Sequence, residues 1–289
     1  MIVEESLART RDYIRQWRRD GSRIGLVPTM GYFHAGHCAL MKKARERADR
    51  VVVSLFVNPT QFGPSEDFSQ YPRDMEGDCE KARLSGVDLL FCPRADEIYD
   101  RQDQTAVTVS ELTKGLCGAS RPGHFRGVTT VVSKLFNIVQ PDFAVFGEKD
   151  YQQLAVIKRM VADLHIPVQV IGHPTVREPD GLAMSSRNVY LSEPERQAAL
   201  VLHKALQTVR QEASRPDGSR RTAELVAIGR QMIASEPLCR LDYFSVVDGS
   251  SLQEHEEITA GARALGAMIV GSRVRLIDNL ELLPGRGEG

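Results

Sequence analysis

The sequence predicts an α/β protein: a parallel sheet covered by helices, followed by a smaller α+β unit. Between Ile24 and Val170 short apolar runs alternate with helix-length amphipathic stretches, the pattern of parallel strands joined by crossover helices. The run Val51–Val57 is apolar on both alternating faces apart from Ser54, as a central parallel strand buried on both sides requires. After Val176 the alternation stops, and polar loops and hairpin-like segments take its place.

The first element is an amphipathic surface helix that turns Leu7, Ile14 and Trp17 inward. Its arginines would suit a transit peptide, but Glu4, Glu5, Asp12 and Asp20 break the acid-poor rule for such leaders. Strands follow at Ile24–Val27, Val51–Val57, Val87–Cys92, Phe143–Phe146 and Val168–Ile171. Between them, Cys38, Met41, Ala44, Arg45 and Ala48 mark one helical face, and Leu154, Ile157, Val161 and Leu164 mark another. A helix is expected from about Pro194 to Glu212, then a turn or linker over Ser214–Arg221, where Pro216 and Gly218 break regular structure. A strand at Leu241–Val247 and a hairpin through Met268–Ile277 complete the chain. The domain boundaries are placed at residues 1–176 and 177–289, with the Met184-Ser185-Ser186-Arg187 loop in the second.

Composition narrows the function. The 289 residues are 42% hydrophobic and 26% charged, which excludes disorder and fibre. Basic and acidic side chains, 37 against 38, leave a formal charge of −1 and no global field for nucleic acid or an anionic membrane. Any anion must therefore meet a local cluster, and a small-molecule ligand is expected. Five cysteines with no Cys-x-x-Cys spacing read as reduced thiols and a cytoplasmic location. No apolar run approaches the roughly 20 residues of a membrane span.

Four segments could carry chemistry. Pro28 to His37 joins the first strand to its helix, where an open α/β sheet presents unpaired helix N–H groups to ligands. Gly31 and Gly36 are spaced like Walker-loop glycines, but His37-Cys38 stands where Lys-Ser/Thr is required. A phosphate cradle using His34 and His37 is one reading. A plain turn with two surface histidines is another, and a metal site lacking its third ligand is a third. After Val51–Val57, Gln61 can read a hydroxyl and a carboxylate or merely steady its turn. At Phe146 to Gln153, Gly147 permits close approach, Lys149 offers charge and Asp150 can accept ribose hydroxyls; an ordinary capped helix start would look the same. Arg177 to Asn188 suits either a mobile lid that grips phosphates or an inter-domain linker. A fifth basic loop, Arg121 to Phe125, is less specific.

Four of these runs carry a resemblance: Pro28-Thr29-Met30-Gly31 with His34-x-x-His37; Phe56-Val57-Asn58-Pro59-x-Gln61-Phe62; Gly147 to Gln153; and Asp180-Gly181-x-Ala183-Met184-Ser185-Ser186-Arg187-Asn188. In that order, over about Gly21 to Asn279, the chain resembles the pantoate–beta-alanine ligase (pantothenate synthetase) family. It departs at Tyr32-Phe33, frequently Ala-Leu, at Ala35, frequently Glu, and at Gly77, where relatives often carry an acid beside Asp78.

The resemblance implies a Rossmann-like nucleotidyltransferase domain, a smaller C-terminal domain and a homodimer. It implies that ATP joins pantoate to beta-alanine through a pantoyl adenylate, releasing AMP and diphosphate, with Mg2+ on the ATP phosphates and Asp78 as its candidate protein ligand. By motif position, ATP would meet Met30, Gly31, Tyr32, Phe33, His34, Ala35, Gly36, His37, Gly147, Glu148, Lys149, Asp150, Val176, Met184, Ser185, Ser186 and Arg187. Gln61 and Gln153 would hold pantoate, Gln61 also beta-alanine, and His37, His34, Lys149 and Arg187 would carry the catalysis. The alternative is another nucleotidyltransferase with the His-x-Gly-His signature, acting on a different small acid or mononucleotide. A silent nucleotide-binding module and a metal hydrolase are weaker rivals.

Overall fold

A computed structural model describes residues 1–64 and 66–283. Two compact units interleave along the chain: residues 1–114, 121–148 and 153–175 form the first, and residues 115–120, 149–152 and the chain from Val176 onward form the second.

In the first unit, strands β1 (Ile2–Glu4), β2 (Ile24–Thr29), β3 (Arg50–Leu55), β4 (Leu89–Phe91), β5 (Phe143–Gly147) and β6 (Gln169–His173) make one sheet in the order β1-β4-β3-β2-β5-β6. Every pair is parallel. The helices up to β6 are α1 (Leu7–Arg19), α2 (Ala35–Arg45), α3 (Met75–Leu84), α4 (Ala95–Ile98), α5 (Leu116–Ser120), α6 (His124–Val139) and α7 (Tyr151–Asp163), of which α5 and the first two residues of α7 belong to the second unit. Strand alternation sorts the core into two layers. Leu26, Val52, Leu89 and Phe146 pack one face against Ile14 and Trp17 of α1, Val132 and Phe136 of α6, and Ile157 of α7. Val27, Val51, Val53 and Val145 pack the other against Met41 and Ala44 of α2 and Ala82 of α3.

The unbroken apolar run does sit inside the sheet, with Val51, Val52 and Val53 fully buried between β2 and β4. It ends at Leu55, two residues earlier than expected, because Asn58-Pro59 turns the chain into a 3-10 turn over Pro59–Gln61. No sequence pattern announces α6, although it is the most buried helix of the unit. Its stretch Val128-Thr129-Thr130-Val131-Val132 is β-branched, which disguises a helix stabilised by burial on nearly all sides.

In the second unit, β7 (Cys239–Asp248), β8 (Ala262–Val270) and β9 (Val274–Glu281) form an antiparallel sheet. Helices α8 (Glu193–Ala198), α9 (Leu200–Ser214) and α10 (Thr222–Ala234) belong to the same unit. Leu202, Leu206 and Val209 of α9 and Leu225 and Ile233 of α10 meet Phe244, Val246, Ala264 and Met268 in its core. The expected helix over 194–212 is thus two helices, and the hairpin is longer than its apolar centre predicted. All five cysteines are free thiols. Among the described residues, no helix is long and apolar enough to cross a membrane.

Candidate active site

The loop from β2 to α2 is shaped by one buried carboxylate. Asp78 of α3 is 1% exposed, and its Oδ2 accepts the Tyr32 N–H at 2.7 Å while Oδ1 accepts that of Phe33 at 2.5 Å. Those bonds hold Tyr32 at φ 52°, a left-handed conformation that side chains resist. Gly31, at φ +83°, needs to be glycine on two counts: a Cβ there would lie 3.0 Å from Leu55 Cδ2 and 3.1 Å from Asp78 Oδ2. Burial pushes the Asp78 carboxyl above its ordinary value, outweighing the pull of the Phe33 and Tyr32 N–H bonds and of Lys81.

The loop delivers His34 to the N-cap of α2. His34 Nδ1 accepts the Gly36 N–H at 3.1 Å, and His37 Nδ1 accepts the His34 N–H at 3.3 Å, a reciprocal cap made of two imidazoles. The rings lie 4.2 Å apart, with the Phe33 ring 5.5 Å from His37. Because both Nδ1 atoms accept, a neutral ring carries its proton on Nε2. Each histidine is thereby fixed as an Nε2–H donor at a helix N-terminus, the arrangement that stabilises anions.

Gln61 is seated beside this loop. It is 8% exposed; its Oε1 accepts from Asn58 Nδ2 at 3.1 Å, and its Nε2 donates to Met30 Sδ at 3.1 Å. The Gln61 carbonyl accepts from Arg121 Nη2 at 3.2 Å and from His124 Nδ1 at 2.9 Å. Arg121 is itself held by both oxygens of Glu66, at 2.7 and 2.5 Å. The Arg121–Phe125 loop, the least specific of the sequence motifs, is the mount of Gln61. From below, Asn58 Nδ2 donates to Gly127 O at 3.2 Å, and a Cβ on Gly127 would lie 2.4 Å from Thr60 O. Sequence reasoning missed Glu66 and Gly127, which carry no motif of their own, and quoted Asn58 within its motif without a role. Gly147 and Glu148, at the end of β5, and the half-buried Gln153 of α7 also lie in the first unit.

The second unit collects the other set. The Lys149 carbonyl accepts from Asn279 Nδ2 at 2.9 Å, and Lys149 Nζ lies 3.9 Å from the half-exposed Asp150 Oδ2. Lys149, Leu182, Ser185, His203, Leu276 and Asp278 line a small cavity. The segment expected to be a lid or a linker is a braced hairpin: Met184 N–H donates to Val176 O at 3.0 Å, Glu178 N–H to Leu182 O at 2.8 Å, and Arg177 bridges to Ala183. Glu178 accepts from Asn188 Nδ2 at 3.0 Å and Arg196 Nη2 at 2.6 Å. At its end Ser185 Oγ accepts the Arg187 N–H at 3.3 Å, capping a 3-10 turn over Ser186–Tyr190, with Ser186 buried. Gln152, indistinguishable from Gln153 in the sequence, proves to be a buried fastener: its Oε1 accepts the Cys117 N–H and its Nε2 donates to Gly115 O, each at 3.0 Å.

The first unit thus brings together Met30 to His37 and Gln61, and the second holds Lys149, Asp150, Val176 and Met184 to Arg187. Among the described residues, no three His, Cys, Asp or Glu side chains cluster to hold a metal ion.

Comparison with known proteins agrees with these motifs. A family model described as pantoate-beta-alanine ligase matches residues 2–281. The pantothenate synthetase of Heliobacterium modesticaldum is 56% identical over 280 residues, 97% of this chain and 99% of the relative. That of Syntrophotalea carbinolica is 52% identical, covering 98% and 99%. Among solved structures, the pantothenate synthetase of Thermus thermophilus superposes with a TM-score of 0.93 at 48% identity, covering 98% of this chain and 100% of the other. The pantoate-beta-alanine ligase of Francisella tularensis, complexed with beta-gamma ATP and beta-alanine, gives 0.79 at 34% identity, covering 98% of each.

Proposed function

The chain belongs to the pantoate-beta-alanine ligase family, and on that premise we propose that it condenses (R)-pantoate with beta-alanine, converting ATP to AMP and diphosphate. The observation that carries the proposal is the likeness to pantothenate synthetases over essentially the full length, in sequence and in backbone. A different nucleotidyltransferase is not favoured, because the Francisella ligase, alike over 98% of the chain, is solved with an ATP compound and beta-alanine.

In the first step the pantoate carboxylate attacks the α-phosphorus, and diphosphate leaves. Two anions must meet, and a helix dipole contributes only about 0.3–1 kcal/mol, so fixed donors and cations must do most of the charge compensation. His34 and His37 present Nε2–H groups for phosphate oxygens, Lys149 and Arg187 serve the same polyphosphate, and the backbone from Met30 to Phe33 and at Gly147 admits it closely. Val176, Met184, Ser185 and Ser186 receive the nucleotide, and Asp150 its ribose. His37, its Nδ1 already accepting the His34 N–H, donates its Nε2–H as a hydrogen bond to the phosphate oxygens on which charge grows. Gln61 and Gln153 hold pantoate, and Gln61 also meets beta-alanine. In the second step the neutral amine attacks the acyl adenylate and AMP leaves, the bound geometry replacing a bimolecular encounter.

Magnesium fits this chain as an ion carried on the nucleotide phosphates, since both Asp78 oxygens already accept backbone N–H groups. Bound there, it would offset phosphate charge. A homodimer and a cytoplasmic location complete the proposal; free thiols support a reducing compartment, and sedimentation tests the dimer. Product identity tests the reaction: pantothenate with stoichiometric AMP supports it, and a stable dinucleotide product contradicts it.

A further inference from the structure

Two adjacent residues of β9 make contacts that the proposed chemistry does not assign. Asp278 and Asn279 are 4% and 3% exposed. Asn279 Nδ2 donates to the Lys149 carbonyl at 2.9 Å, while its Oδ1 accepts from Arg263 Nη1 at 2.6 Å. The Arg263 guanidinium lies over the Tyr151 ring at 3.9 Å, and the Tyr151 hydroxyl donates to Gly249 O at 3.0 Å. The Lys149–Gln152 segment is therefore pinned at two points to the antiparallel sheet.

Asp278 does the same for the other nucleotide segment. It accepts both Arg177 Nη atoms, at 2.6 and 2.9 Å, and Arg177 also donates to Gly181 O at 3.0 Å inside the hairpin that leads to Met184. Successive side chains on a strand point to opposite faces, so one dipeptide can reach two segments. A strand is also a stiffer mount than a loop.

Resting on the adenylation chemistry proposed above, we infer that Asp278 and Asn279 are positioning residues for the nucleotide: together they set the spacing between Lys149 and the Ser185–Arg187 turn, so that both meet one polyphosphate. They touch no reacting atom themselves. The two segments are far apart in sequence, and the dipeptide makes their separation a property of the sheet.

Asn279→Ala in the full chain, assayed by ATP–diphosphate exchange with pantoate and followed by thermal unfolding, tests this. A misplacement of about 1 Å costs about a hundredfold, so kcat/KM for ATP should fall by about tenfold to a hundredfold while KM for pantoate stays within about twofold. Arg263→Leu leaves the Lys149 contact but frees Asn279 to turn over, and should give a smaller loss of the same ATP-selective kind, readable even if Asn279→Ala melts early. Equal losses for ATP and pantoate, or an ATP term unmoved in both variants, would overturn the inference while an active wild type left the proposed reaction standing. A wild type without pantoate-dependent exchange would overturn both.

Discussion

The imidazole of His37 accepts the backbone N–H of His34 through Nδ1, at 3.3 Å, with the two rings 4.2 Å apart. A bond usually made by a Glu or Gln side chain is made here by a ring that carries a second nitrogen. The cap orients the ring and places the proton of the neutral imidazole on Nε2.

His37→Ala should therefore have two separable effects. Loss of the cap costs about 1 kcal/mol of stability, whereas loss of a preorganised donor slows adenylation about a hundredfold or more. Single-turnover kinetics on the folded variant checks this; a fall of less than about tenfold contradicts the donor role.

Gly127→Ala tests the mount of Gln61. Alanine favours a helix by up to about 1 kcal/mol, but the new methyl group would stand 2.4 Å from Thr60 O and 2.7 Å from the Gln61 Cα, both backbone atoms. Overpacking of this kind costs about 1–3 kcal/mol, so the clash wins and the 3-10 turn shifts. KM for pantoate and for beta-alanine should rise with KM for ATP little changed. Unaltered acid and amine constants would show that Gln61 does not read them.

Asp78 sets one acid-range signature. Burial raises its carboxyl above the ordinary value of about 3.9, so the native chain holds more protons than the unfolded chain between the two values. Stability is greatest below that window and declines as pH rises through it. Asp78→Asn abolishes this decline, and its amide NH2 faces a backbone N–H, costing about 1–3 kcal/mol and loosening the Tyr32–Phe33 loop. Urea unfolding across acidic pH should show wild-type stability falling relative to the variant from about pH 4 upward; a relative rise contradicts the assignment.

Asp278 carries the opposite sign. Burial opposes its charge, but the His203 ring, 3.7 Å away, and the two bonds from Arg177 hold the carboxyl below its ordinary value. Its contribution is present above the ordinary carboxylate range and disappears as pH falls toward the depressed value. Asp278→Asn leaves the largely buried Arg177 uncompensated and should cost about 3 kcal/mol at neutral pH. That difference should shrink on acidification in the same unfolding series, and a constant difference contradicts the ion pair as its source.

The parallel sheet was legible because Val51 to Val53 have no polar face to hide, whereas the glycines and histidines of the first loop, whose spacing a plain turn would share, were legible through the resemblance they carry together with the three later motifs. The supports were not. Asp78 reads as one more helical acid, yet it shapes the loop from β2 to α2 from a distance of more than forty residues in sequence. Gln152 and Gln153 are identical side chains one position apart, and only packing decides which is a buried fastener. The helix at His124–Val139 was hidden by β-branched residues whose helical cost burial overrides. The Asn279 contact to Lys149 joins residues 130 positions apart, beyond the reach of any local pattern.

Pantoate-dependent ATP–diphosphate exchange, followed by a chase with beta-alanine, reaches the central claim most directly. The account predicts negligible exchange without pantoate, robust exchange with it, and conversion of the bound adenylate to pantothenate and AMP when the amine is added. Exchange indifferent to pantoate, or an adenylate that beta-alanine cannot discharge, would contradict it.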